Sequence, residues 1–256
     1  MPPSVGASTV GPVRPGRAAV ARARWLPDRV VAQPSISVVV PALDEAQSLP
    51  LLLADLAPLG ALAEIIVSDG GSSDATARIA RDHGARVLES ARGRSVQLRG
   101  GAAAASARVL VFLHADSRVP PDTLARLAAF SPADGWGFFR PELEGRSRWL
   151  PVVSRAMAWR SRLSGIATGD QGLYVSRALY EEAGGFPEQM LMEDIEMCVR
   201  LRRLGAPRCL RERIVSSGRR WDRNGALSTI FLMWSLRLRY RFGADPAALH
   251  RAYYGR

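Results

Sequence analysis

The 256-residue chain contains no lysine: all 35 of its basic residues are Arg. It has only two cysteines, Cys198 and Cys209, and no Cys/His cluster, which excludes a disulfide-stapled scaffold and a structural zinc site. No run of 18 apolar residues occurs, so no transmembrane helix is expected. Aromatic residues make up 7% of the chain and are not interleaved with the Arg residues, so a stacking surface for nucleic acid is missing. No Gly-x-Gly-x-x-Gly follows the first β-branched run, which removes the dinucleotide fingerprint. What is present is ordinary for a folded protein: 47% apolar and 23% charged residues, over a length that can bury a large core.

The formal net charge of +11 is unevenly spread. Residues 1–34 hold five Arg against one acid, and residues 197–256 hold 14 Arg against three. The segment between carries 16 Arg against 20 acids and is mildly acidic. A basic C-terminal quarter suits anionic lipid, a phosphorylated substrate or nucleic acid, and composition does not choose among them.

Residues 1–34 are rich in Pro, Gly, Ala and Arg without a period and are expected to form a disordered leader. Its scattered Arg residues break any continuous apolar stretch of the secretory kind, so a cytoplasmic protein is expected. From Ser35 the rhythm changes. Strands are expected at Ile36–Val40, Glu64–Ser68, Arg86–Leu88 and Val109–Leu113, with helices at Glu45–Leu56, Asp74–His83 and Ser95–Ala107 between and after them. That alternation predicts an α/β domain whose mostly parallel sheet is covered by helices, with ligands at the carboxyl ends of the strands. Those ends carry Pro41-Ala42-Leu43-Asp44-Glu45, Asp69-Gly70-Gly71 and His114-Ala115-Asp116. Further on, Trp136–Phe139 reads as a strand, while Arg148–Leu163, Arg177–Ala183, Glu193–Leu204 and Thr229–Phe242 read as helices. The catalytic domain is expected over 35–222, and a basic amphipathic helical segment over 223–256.

Taken one at a time, the chemical residues have plain explanations. The Asp69–Thr76 stretch can be a Gly-rich turn with an N-cap, and the acids of Glu193-Asp194-Ile195-Glu196 suit a helix dipole. A carboxylate at Asp116, closing a strand, also suits a hard divalent cation that bridges a diphosphate. In combination, Ser37–Glu45, Asp69–Thr76, His114-Ala115-Asp116, Gly184-Gly185-Phe186-Pro187 and Glu193-Asp194 resemble a family-2 glycosyltransferase, from about Ile36 to about Trp221.

The resemblance implies a nucleotide-sugar-dependent, non-processive bacterial enzyme of the GT-A fold. It implies Mg2+ or Mn2+ on Asp116, the last acid of the family's Asp-x-Asp motif, although His114 stands where the first Asp is usual. It implies Asp194 as general base with Glu193 beside it. Pro41, Glu45, Asp69, Arg94, Arg99, His114, Asp170, Gln171, Arg220 and Trp221 would contact the nucleotide-sugar. The reaction implied is inverting transfer of a hexose from a donor, with a UDP-sugar as the commonest guess, to a hydroxyl or carboxyl acceptor. A lipid and a carotenoid acid are both carried as acceptors. Outside the family, a nucleotidyltransferase lacks its Gly-x-Gly-x-x-Arg loop here, and a nucleic-acid binder rests on charge alone. A helix over Thr229–Phe242 would gather Ile230, Phe231, Trp234 and Leu238 on one side, as interfacial helices do, so peripheral contact with a membrane is expected.

Overall fold

The computed structural model describes Met1 and residues 34–255, leaving undescribed the side chains of Arg220, Asn224, Ala226 and Leu227. The expected leader falls, but for Met1 and Pro34, outside the described residues.

The first β-branched run forms β1 (Ile36–Ala42), and its pleat sorts the core into two faces. Val38 and Val40 point to one side, where α1 (Leu49–Leu56) covers them with Leu49, Leu52 and Leu53. Val39 points to the other side. β2 (Ala63–Asp69) follows α1, then α2 (Thr76–Asp82), β3 (Arg86–Glu89), α3 (Arg94–Ala104) and β4 (Val109–Phe112). α3 lies close on β1: a Cβ on Gly101 would come within 2.3 Å of Val39 Cγ1, so only glycine fits there.

These four strands are parallel, as their alternation with helices predicts. The chain then adds β5 (Ser117–Arg118), α4 (Pro121–Ala128), β6 (Trp136–Glu144), α5 (Leu150–Ser164), β7 (Leu173–Ser176), α6 (Arg177–Glu182), α7 (Glu193–Leu204) and β8 (Arg208–Ser217). It ends with α8 (Arg219–Asn224), α9 (Ala226–Arg241) and α10 (Pro246–Tyr254). The eight-stranded sheet runs β3-β2-β1-β4-β7-β6-β8-β5, with β7 antiparallel to both β4 and β6, and β6 parallel to β8. The single α/β domain with a mostly parallel sheet, flanked by helices and followed by C-terminal helices, is the architecture expected from the sequence.

β1 runs through Pro41, where the sequence suggests a stop. Pairing with β4 ends at Val39 opposite Phe112. The nitrogen of Pro41 faces that side, so the missing N–H removes no ladder bond. β1 therefore reaches Ala42 and carries its rim residues further out.

α9 presents Thr229, Met233, Leu236 and Arg237 to the space above the strand ends. Ile230, expected among the outward apolar residues, instead packs with Leu143, Leu150 and Val153 beside α5. Phe231, Trp234 and Leu238 stay exposed, as do Val152, Trp159 and Leu163 on α5.

Candidate functional site

The carboxyl ends of β1 and β4 open into a cleft of about 630 Å³, within the range of ligand sites. Its rim is tied together by side chains. Asp44, held at φ 54°, accepts from Ser73 N at 2.7 Å, and Glu45 N donates to Thr76 Oγ1 at 2.8 Å. Ala46 N donates to Asp74 Oδ2. The loop after β1 is thus strapped to the loop after β2.

Pro41, Glu45, Arg94, His114, Asp116, Asp170, Glu193, Asp194 and Trp221 all line the cleft, so the fold brings together most of the residues singled out in the sequence. Three are elsewhere. Asp69 is buried at the end of β2, and its carboxylate accepts from Ser72 N and Oγ. Arg99 lies on α3 and pairs with Glu188. Gln171 is buried, donating to Phe139 O and accepting from Ser161 Oγ at 2.7 Å, which fixes the segment before β7. The Arg220 side chain lies outside the described residues.

The cleft has two poles. At one, the guanidinium of Arg219 stands 3.8 Å from both Glu45 and Asp116. Burial, with Asp116 close by, pushes the Glu45 carboxyl above its ordinary range. Asp116 makes no hydrogen bond among the described residues, and no group of three or more His, Cys, Asp or Glu that could hold a metal occurs among them. A site built only from protein ligands is therefore absent there. A carboxylate left open to the cleft fits a hard cation that takes its remaining oxygens from a phosphorylated ligand.

At the other pole, α7 begins at Met192 in the left-handed conformation (φ 67°), an uncommon backbone for a residue with a side chain. This start sets Glu193 and Asp194 at opposite depths. Glu193 is only 3% exposed and stands 3.7 Å from Arg94. Burial first, and Asp194 second, push its carboxyl up to about 7 against the pull of Arg94. Asp194 Oδ2 accepts from Gly169 N at 2.8 Å and Oδ1 from Ile195 N at 2.7 Å, so two backbone donors fix its carboxylate at the cleft wall.

His114 joins the poles. Its Nδ1 is 3.6 Å from Asp170 Oδ1, too long for a hydrogen bond. Burial, and then Arg94, hold its imidazole well below the ordinary value of 6.5, and hence neutral. A Cβ on Gly169 would fall 2.1 Å from His114 Nε2, so this glycine admits the ring.

Sequence reasoning missed several cleft residues. Arg219 is adjacent to the expected Arg220-Trp221 pair, a neighbour that could have signalled it. Met233, Leu236, Arg237 and Tyr253 come from α9 and α10, whose place over the cleft depends on tertiary packing.

Residues 37–139 match the family model described as Glycosyl transferase family 2. An uncharacterized glycosyltransferase of Mycobacterium tuberculosis is 35% identical over 133 residues, covering 50% of this chain and 60% of that protein. The match thus spans less than two thirds of that relative's length. A 4,4'-diaponeurosporenoate glycosyltransferase of Staphylococcus haemolyticus is 38% identical over 90 residues, covering 32% of this chain and 24% of that protein. Among solved structures, the mannosyltransferase PcManGT of Pyrobaculum calidifontis, in complex with GDP-Man and Mn2+, is similar with a TM-score of 0.54. It is 20% identical, with 86% of this chain and 69% of that chain covered, a likeness that speaks for the fold.

Proposed function

We propose that the chain, whose residues 37–139 match the model of glycosyl transferase family 2, acts as a member of that family and transfers a hexose from a nucleoside-diphosphate sugar, inverting the anomeric carbon. The observation that supports this most is that Asp116 and Asp194 line one cleft. Breaking the bond between sugar and diphosphate leaves charge on the leaving group. Mg2+ or Mn2+ on Asp116, when bound, supplies Lewis-acid stabilisation of that charge. Arg219 beside Asp116 adds a positive group. Pro41 and Glu45, on the rim at the end of β1, would face the nucleoside, while Asp69, buried behind it, would hold the Ser72 turn in place. Arg94 and the neutral His114 would face the diphosphate, and Asp170 and Trp221 the sugar.

On the opposite side of the anomeric carbon, Asp194 takes the proton of an acceptor hydroxyl. Its two backbone donors hold the carboxylate in place while leaving lone pairs for that proton. Glu193, buried against Arg94, positions Arg94 and adds to the field at Asp194 rather than reaching the substrate.

The acceptor is amphiphilic in this proposal, and the protein works at a membrane surface. Trp149, Val152, Trp159 and Leu163 at α5, with Phe231, Trp234, Leu238 and Phe242 at α9, are each more than half exposed. α5 and α9 adjoin, Ile230 packing by Val153. Arg155, Arg162, Arg239 and Arg241 flank these side chains and are exposed too. Apolar area with interspersed cations suits an anionic bilayer surface, each close Arg contributing about 1 kcal/mol. No helix among the described residues is long and apolar enough to cross the membrane. A carotenoid acid is one acceptor of this kind, supported by the likeness to the diaponeurosporenoate enzyme.

The test is incubation of the full chain with radiolabelled UDP- and GDP-hexoses, Mn2+ and a bacterial lipid extract. Label moving into the organic phase is expected, and its absence with every donor, beside intact donors, would refute the proposal.

A further inference from the structure

We propose that the Asp194 pole contains an anion subsite centred on Arg237, which binds a carboxylate or phosphate carried by the acceptor. This rests on the glycosyl-transfer reading for the identity of the acceptor, though the subsite itself does not.

Arg237 on α9 lines the cleft, together with Leu236 of the same helix and Tyr253 of α10. It is half-buried and makes no hydrogen bond or ion pair among the described residues. Arg94 and Arg219, which line the same cleft and are more exposed, are each paired: Arg94 with Glu193, and Arg219 with Glu45 and Asp116. A guanidinium offers five N–H donors in a planar fork, and a shielded one with none engaged calls for an explanation.

The nearby acids do not supply it. Asp194 and Asp170 act on Arg237 through space without an ion pair to it among the described residues, the Asp194 carboxylate being oriented instead by Gly169 N and Ile195 N. Arg160 on α5 adds a second positive group, bonded to Ser161 Oγ at 3.0 Å, and the two guanidiniums repel. Burial and then that repulsion push Arg160 down to about 10. An oxyanion between α9 and α5 would relieve the repulsion and engage the fork of Arg237 bidentately.

The position assigns the anion to the acceptor. Arg237 is grouped with Asp194 and Asp170, whereas the open carboxylate suited to a metal and a diphosphate lies at the pole of Asp116 and Arg219. Beside Arg237 the wall of α9 is apolar, with Met233 and Leu236, so the ligand that fits is an anionic group on an apolar body.

The experiment is titration of the full chain with inorganic phosphate and, separately, with acetate. Arg237 is followed by its side-chain Nε–Hε resonance, assigned by its loss in Arg237→Lys. Calorimetry compares wild type with Arg237→Gln and Arg237→Lys, and UDP and GDP are titrated into the same proteins with Mn2+. The expected result is a shifted Arg237 resonance with one anion or both, a Kd at least tenfold weaker in Arg237→Gln, an intermediate value in Arg237→Lys, and unchanged nucleotide affinity. The stronger of the two anions identifies a phosphate or a carboxylate acceptor. An unmoved Arg237 resonance, or equal anion binding by Arg237→Gln, would overturn the subsite. Nucleotide affinity falling in step with Arg237→Gln would assign the residue to the donor and also overturn it. Failure of every nucleotide to bind would strike the glycosyl-transfer reading alone, and the phosphate and acetate arms would still decide the subsite.

Discussion

Replacing Glu193 with Gln should make the protein more stable above neutral pH, although it deletes an ion pair. Burial and Asp194 raise the Glu193 carboxyl from 4.5 to about 7, a value that already includes the attraction of Arg94. A folded-state value above the unfolded one means that the group's stabilisation is complete below pH 4.5. It is lost as pH rises through 7. A rise of about 2.5 units at 1.36 kcal/mol each makes ionised Glu193 cost about 3 kcal/mol at pH 8 relative to its neutral form. Gln mimics that neutral form. It leaves Arg94 without its partner, but the Arg94 side chain is 44% exposed, so water replaces much of the lost contact. Urea unfolding at pH 5 and pH 8 measures the effect. The Gln variant should match wild type within about 1 kcal/mol at pH 5 and exceed it by about 2–3 kcal/mol at pH 8. A variant weaker than wild type at pH 8, or a gap that does not change with pH, would refute the electrostatic reasoning.

Asp194→Asn should lower kcat by roughly 10²–10⁴-fold with little change in donor affinity, measured by steady-state kinetics beside a donor titration. Gly169→Ala should destabilise the fold by about 1–3 kcal/mol and cut activity, because the new methyl meets the half-buried His114 ring; thermal unfolding and turnover check both effects. Trp159→Glu with Trp234→Glu should abolish co-sedimentation with anionic liposomes while leaving the melting temperature nearly unchanged, since both side chains are 70% exposed.

The parallel half of the sheet was legible because β1, β2 and β4 are β-branched, apolar and bounded by turn residues. The mixed half was not. β8 (Arg208–Ser217) carries Arg211, Glu212 and Arg213 in mid-strand and so lacks a strand's apolar signature, while the apolar part of β7 is only Leu173-Tyr174-Val175 and has no helix–strand alternation around it to mark it. β6 reads as ending at Phe139, yet it runs on through Pro141 to Glu144: its pairing with β7 ends at Phe138, while its pairing with β8 begins at Gly137 and continues past a register shift between Phe138 and Arg140. The cleft follows the same division. Glu45, Asp116, Glu193 and Asp194 sit at ends of elements with local signals, so their convergence could be anticipated. Arg219 and Arg237 take their roles from α8 and α9 folding back over the strand ends, a placement set by apolar contacts such as Leu236 with Leu249 rather than by local spacing.

Binding of nucleotide-sugars in the presence and absence of Mn2+, compared between wild type and Asp116→Asn, tests the central claim most directly. At least one UDP- or GDP-sugar should bind wild type, with an affinity that falls at least tenfold when Mn2+ is withheld or Asp116 is replaced, while the variant keeps its melting temperature. No binding of any nucleotide-sugar at millimolar concentration with Mn2+, or equal Mn2+-dependent binding by Asp116→Asn, would contradict the account.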